Sequence, residues 1–216
     1  MDKATERLSE GLATEQDGDY ERGSRAEQRA VENQIISNAK KHGLFVEPSQ
    51  ARQYGERKKK RSGESVVYTN EEEIKVYKVK DPYAKLPIKR HGAADVLYEH
   101  EAHNLLFPDA PYTFIGVTEG IDGPRIILSQ EFIEGAKRAT QKEIEDYLAE
   151  KLHLDKEDEY TYGNNYYAIT DVSINSDNVI KGKDGHIYFI DPLIKFKKPG
   201  KEVIEHLWNN QPPSSW

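Results

Sequence analysis

Apolar positions recur along the chain in two periods, and the changes between them mark its elements. From Ala26 to His42, Val31, Ile35, Ile36 and Ala39 recur at i, i+4, i+5 and i+8, the pattern of an amphipathic helix. Lys40 and Lys41 suit its last turn, and Gly43 is placed as its C-terminal cap. The apolar triplet Leu44-Phe45-Val46 should anchor it to the main body. Ser65 to Thr69 and Ile74 to Val79 read as strands joined by a turn at Asn70 and Glu71 to Glu73, an antiparallel hairpin. Asp81 to Arg90 holds two prolines and several cations and is a loop. Ala93 to Leu106 is helical, with Val96, Leu97, His100, His103 and Leu106 on one broad face, and Pro108 and Pro111 end it. Two more strands, Tyr112 to Thr118 and Arg125 to Ser129, flank a turn at Ile121-Asp122-Gly123, and Gln130 to Gly135 is a connector. Thr140 N-caps a helix from Gln141 to Leu152, with Glu143 completing a capping box. Asp155 to Asn165 is acidic and turn-rich.

The next stretch, Tyr166 to Pro192, organises the rest. The apolar run Tyr166 to Ile169 delivers Asp171 into a polar loop that reaches Asn178. A short strand at Val179-Ile180, a tight turn at Lys183-Asp184-Gly185 and a strand from Ile187 to Ile190 follow, ending at Asp191-Pro192. Asp-Gly is a strong hairpin signal. Acid and amide groups then stand at the open end of one hairpin, the oxygen set that suits a hard divalent cation on phosphates. The plainer reading is a hairpin whose Asp and Asn residues only form turns. After Asp191 the pattern leaves a basic stretch, Lys195 to Lys198, one or two helical turns around Glu202 to Trp208, and a Pro/Ser end.

Composition narrows the class. The formal net charge is -7, which gives no global nucleic-acid signature. The basic run Arg57 to Arg61 offers a phosphate or nucleic-acid patch, but a solvated loop is favoured. There are no cysteines, so disulfides and thiolate metal sites are excluded. No apolar run approaches a membrane span. A soluble, cytoplasmic protein is expected. Met1 to Ser24 is poor in apolar residues and is expected to be a flexible arm.

Lys78 lies inside an apolar strand with the parity of Ile74 and Val76, so partial burial and an anionic partner are expected. An exposed strand face, with the stem covering apolar surface, is the alternative. Glu99 and Glu101 are the candidate partners. Together with Asp171, Asn178 and Asp191 these residues match the needs of phosphoryl transfer, which clamps phosphates with cations and orients a hydroxyl nucleophile. In that scheme Lys78 holds phosphate oxygens, Asn178 and Asp191 ligate Mg²⁺, and Asp171 accepts the substrate proton. The backbone of the connector, through Glu131, Phe132 and Ile133, suits an adenine edge.

The segments NAKKHGLFV, SGESVVY, IKVYKV, HNLLFPDAPYTFIGV, SQEFIEGAKRAT, ITDVSINSDNVI and GHIYFIDP give the chain from about Gln34 to Lys195 a wider likeness. It resembles the protein-kinase superfamily, and more closely the small Ser/Thr/Tyr kinase-like domains found in polyvalent proteins of phages and conjugative elements, a bacterial setting. The resemblance implies an α+β, minimal two-lobed kinase-like fold with ATP between the lobes. It implies an antiparallel N-lobe sheet with one helix over about 25–130, a reduced helical C-lobe over about 134–198, and a tail over 199–216. By that likeness Lys78 is the strand lysine, Glu101 or Glu99 the helix glutamate, Asn178 the catalytic-loop asparagine and Asp191 the metal aspartate. ATP, Mg²⁺ and a protein substrate are the implied partners.

The chain departs from the family pattern in several places. Only Gly63, in SGES, stands where a glycine-rich loop would, and it is the candidate phosphate-loop residue. Thr170-Asp171 replaces His-Arg-Asp, and Asp171 and Asn178 are two residues further apart than in an ordinary catalytic loop. Either the loop bulges, or Asp177 or a water serves as base. Pro192-Leu193 follows Asp191 in place of Phe-Gly. These departures carry a second reading, a pseudokinase or interaction module without turnover.

Overall fold

The computed structural model describes residues 3–8, 25–54, 56–57, 65–70, 74–82, 92–134, 137–174 and 176–210. The chain divides into two compact units, Met1–Glu101 with Tyr112–Glu131, and Ala102–Pro111 with Phe132–Trp216. Helices and antiparallel sheets occur in both, so the class is α+β. Among the described residues no helix is long and apolar enough to cross a membrane.

The first unit is built on a five-stranded antiparallel sheet. Helices α1 (Lys3–Leu8) and α2 (Arg25–Lys41) precede strands β1 (Glu56–Arg57), β2 (Ser65–Asn70) and β3 (Lys75–Lys80). Then come α3 (Ala93–Leu106), β4 (Tyr112–Glu119) and β5 (Pro124–Glu131), in spatial order β1-β2-β3-β5-β4. Alternation along the strands feeds two clusters. Leu128, Ile126 and Tyr112 pack with Ile35 and Ala39 of α2 and Val96 and Leu97 of α3. Tyr77, Val79 and Ile127 pack on the other side with Tyr54, from a 3-10 turn at Pro48–Tyr54. Gly43, at φ 69°, ends α2 as its sequence foretold, and the Leu44 amide closes the turn on the Ala39 carbonyl at 2.7 Å. Leu44 and Val46 then hydrogen-bond Val117 of β4, which is how the apolar triplet anchors the helix.

The second unit holds the hairpin. Its elements are β6 (Lys137–Arg138), α4 (Gln141–Glu150), β7 (Asp155–Lys156), β8 (Tyr162–Gly163), β9 (Tyr167–Thr170), β10 (Val179–Lys181), β11 (Ile187–Phe189), β12 (Leu193–Phe196) and α5 (Gly200–Asn209). They make two antiparallel sheets, β11-β10-β6 and β12-β9-β8-β7. The capping box of α4 forms: the Glu143 amide donates to Thr140 Oγ1 at 3.3 Å and the Thr140 amide to Glu143 Oε2 at 2.9 Å. Gly185, at φ 83°, carries the tight turn between β10 and β11.

The structure corrects several expectations. Lys3–Leu8, read as part of a flexible arm, is a helix whose Leu8 is fully buried, and the Asn38 side chain donates to the Leu8 carbonyl at 2.9 Å. Among the described residues, α1 thus adds to the two helices, α2 and α3, that the sequence predicts before Tyr112. Strand β5 runs through Gln130 and Glu131, which the connector was expected to contain. Ser129 and Gln130 are polar yet buried at 3% and 5% exposure, so the ladder continues where apolar alternation stops. The acidic stretch contains β7 and β8, whose backbone pairs while Asp155 and Lys156 stay exposed. Strand β12, paired with β9, takes in Lys195 and Phe196 of the basic stretch after Asp191, and α5 is a ten-residue helix burying Val203, Ile204 and Leu207. The second unit is thus richer in strands than a purely helical lobe. Glu71 to Glu73 and residues 58–61 of the basic run lie outside the described residues.

Candidate active site

Lys78 is only 6% exposed. It stands opposite Leu128, and Leu128 stands opposite Phe114, so all three share the sheet face on which α3 packs. The ammonium donates to the Tyr112 hydroxyl at 2.8 Å and lies 4.8 Å from the centre of that ring. Lys80, two residues on and also 6% exposed, stands 5.5 Å from the same ring centre. Burial of Lys78 matches the reading from its strand.

The two candidate carboxylates of α3 differ in burial. Glu101 is buried at 5% exposure, whereas Glu99 is half-buried. The neighbouring His100 is fixed on the same face: its Nε2 lies 3.3 Å from the Tyr112 carbonyl, and its ring packs near Phe114. A buried carboxylate needs a cation or several donors. Glu101 therefore has the stronger claim on the helix-glutamate role.

In the second unit the registers gather Asp171, Asn178 and Asp191. Strand β12 pairs with β9 so that Leu193 faces Thr170, which brings Pro192 and Asp191 back beside Asp171. Strand β10 pairs with β11 so that Val179 faces Phe189, and the Ile190 amide donates to the Asn178 carbonyl at 2.8 Å. Asn178 and Asp191 thus stand at the same open end of the hairpin. The Asn178 amide nitrogen donates to Asp171 Oδ2 at 2.7 Å and to the Asp171 carbonyl at 3.0 Å. Both partners are acceptors, so the NH₂ group must face them and the carboxamide oxygen faces away.

Between them the Ser176 amide donates to the Ser173 carbonyl at 2.9 Å. Ser176 Oγ donates to the Asp171 carbonyl at 3.0 Å, and Val172 is fully buried as the loop's anchor. Asp171 itself sits at φ 59°, a left-handed conformation that Asp adopts more readily than most residues. Asp177, the alternative base, is engaged from outside. Arg138 Nη2 and Nε donate to its Oδ1 at 2.7 and 3.1 Å.

Aromatic packing holds the hairpin. Phe189 stacks on Phe107 with ring centres 4.5 Å apart, and Tyr147 of α4 packs 4.8 Å from Phe189. His103 Nε2 lies 3.1 Å from the Phe189 carbonyl, two residues before Asp191. Lys181 of β10 donates to Glu143 of α4 at 2.5 Å, and this contact with the capping hydrogen bonds lowers the Glu143 carboxyl to about 2.

Of the remaining candidates, Glu131 ends β5 with its carboxylate 3.9 Å from Lys75, and Phe132 is exposed while Ile133 is half-buried. Gly63 lies outside the described residues. Among the described residues no group of three His, Cys, Asp or Glu side chains has the geometry of a metal site. Tyr112, Arg138 and Ser176 have no role in the sequence reading. Each contacts a candidate residue, Lys78, Asp177 and Asp171 respectively, and for Tyr112 the partner is 34 residues away. Only Ser176, inside the Asp171–Asn178 loop, carried a local signal, as a turn-forming residue.

No curated protein and no solved structure matches the chain. The family described as serine/threonine/tyrosine kinase found in polyvalent proteins matches residues 28–198, which takes in both candidate clusters. The chain belongs to this kinase family.

Proposed function

We propose that the protein is an ATP- and Mg²⁺-dependent phosphotransferase acting on protein hydroxyls, within a protein of a mobile element. The observation that carries the reading is the shared end of Asp171, Asn178 and Asp191 in the second unit. An amide oxygen and a carboxylate are a fitting protein share for Mg²⁺, which takes one or two carboxylates and leaves the other positions to phosphates and water. Bound by Asn178 and Asp191, the ion would neutralise phosphate charge. Asp171, anchored through its carbonyl by Ser176 and Asn178, would accept the proton of the attacking hydroxyl. Lys78 would hold phosphate oxygens, with Glu101 fixing its stem, and the backbone of Glu131 to Ile133 would meet the adenine edge. The engagement of Asp177 by Arg138 supports Asp171 over Asp177 as base.

Thermal unfolding with ATP and Mg²⁺ tests the reading. Nucleotide at 100 times its dissociation constant should add about 2.7 kcal/mol. Asp191→Ala should abolish phosphate transfer from labelled ATP. No shift at millimolar nucleotide would overturn the reading, and retained transfer would clear Asp191 of its role.

The pseudokinase reading has one observation of its own. Asn178 donates to the carboxylate of Asp171, so the proposed metal ligand and the proposed base engage each other. It requires a stable protein partner and no ATP consumption.

A further inference from the structure

We propose that Tyr112 is a positioning residue that sets the aim of the Lys78 ammonium, a proposal that rests on the phosphate-holding role given to Lys78 above. A lysine carries its charge on a flexible four-carbon stem, so a lysine meant for one anion must be held in one conformation. The Tyr112 hydroxyl is a fixed acceptor for that purpose. Its residue is 4% exposed and starts β4 opposite Gln130 of β5. Its ring belongs to the apolar cluster with Leu97 and Leu128. Its carbonyl is tied to His100 of α3 at 3.3 Å. Sheet, core and helix therefore each restrain the ring, and the hydroxyl meets Lys78 Nζ at 2.8 Å.

The chemistry of the partner matters. A phenol is a neutral acceptor, so it takes one of the three ammonium donors without cancelling the charge. The ring face adds attraction for the cation. Lys80 stands over the same ring at 5.5 Å, so one phenol gathers two buried ammonium groups.

The test uses the full chain and Tyr112→Phe, which keeps the ring and removes the hydroxyl. Competitive acetylation with acetic anhydride at one fixed pH reads each lysine by mass spectrometry. Without its acceptor, the Lys78 amine should react at least about threefold faster relative to exposed Lys142. Lys80, which faces the ring, should keep its rate. ATP affinity measured by calorimetry should fall about three- to tenfold. An unchanged Lys78 rate, or an unchanged ATP affinity where the parent protein binds ATP, would overturn the proposal. So would a rise at Lys78 and Lys80 together with a lowered melting temperature, which would mark a merely structural role. A selective rise at Lys78 in a protein that binds no ATP would sink the phosphotransferase reading and leave Tyr112 as the group that holds Lys78.

Discussion

The ammonium of Lys78 and the hydroxyl of Tyr112 meet at 2.8 Å on the sheet face that α3 covers, with both residues almost wholly removed from solvent. A cation kept there loses its hydration, and a neutral phenol compensates only part of that loss. Buried Glu101 is on the helix of the same unit and is the carboxylate proposed to supply the opposite charge. Removing one member of a buried pair leaves the other uncompensated.

Lys78→Met is therefore expected to destabilise the protein by about 3–5 kcal/mol in urea unfolding. The double variant with Glu101→Gln should lose less than the sum of the two single changes, with a coupling of about 1–3 kcal/mol. The same cycle with Glu99→Gln should give a coupling below about 0.5 kcal/mol. Equal coupling for both glutamates would refute the assignment of Glu101.

The loop from Asp171 to Asn178 gives a sharper contrast. Asp171 is held by Ser176 and Asn178 beside the end of the hairpin, while the Asp177 carboxylate is taken by Arg138 at 2.7 Å. Asp171→Asn is expected to lower kcat by about 10²- to 10⁴-fold, the range for losing a general base. Asp177→Asn should change kcat only a few-fold. Steady-state kinetics with labelled ATP and a hydroxyl-bearing protein acceptor separates the two, and the reverse ranking would make Asp177 the base.

What the sequence disclosed follows from how local each signal is. The α4 capping box needs residues three apart, and Thr140 with Glu143 announced it. Asp184-Gly185 announced the tight turn in the same way. The open end of the hairpin was legible because two short strands and one turn fix which residues stand together. Strands β7, β8 and β12 were not legible as strands. Asp155 and Lys156 of β7 and Lys195 of β12 face solvent, and each strand is held by a neighbour, β7 by β8 and both β8 and β12 by β9, rather than by its own pattern. The choice between Glu99 and Glu101 was open for a related reason. Two glutamates two positions apart on a helix look alike until packing buries one of them. Tyr112 carried no local sign of its role, because its partner on β3 is brought to it only by the sheet.

The hairpin's aromatic support should be costly to remove. Phe107 is 2% exposed and stacks on Phe189 at 4.5 Å, beside Tyr147. Phe107→Ala removes a buried ring and leaves a cavity under β11. The expected cost is about 3–5 kcal/mol by urea unfolding. Phe107→Leu, which refills most of the space, should cost less than half of that. Equal costs would mean that refilling the volume recovers nothing and that the aromatic stack itself, rather than apolar volume, carries the stability.

The junction of α4 with the hairpin should make stability depend on acid. Glu143 accepts from Lys181 at 2.5 Å and caps its own helix through Thr140, and these contacts lower its carboxyl from the usual value to about 2. Glu145 is likewise lowered to about 2, first by Lys156 and then by Gln141 and Tyr162. A carboxyl whose folded value lies below its unfolded value binds its proton more readily in the unfolded chain. Its contribution is fully present above about pH 4.5 and is lost as pH falls toward about 2. Glu143→Gln keeps the side chain's size but removes its titration. The melting temperature of that variant should start lower at neutral pH and fall less steeply between about pH 4.5 and about 2 than that of the parent. Thr140→Ala, which removes the cap and leaves the Lys181 contact, should lower stability by about 1 kcal/mol at neutral pH. Parallel acid limbs for the parent and Glu143→Gln would show that this contact to the hairpin contributes nothing to the folded state.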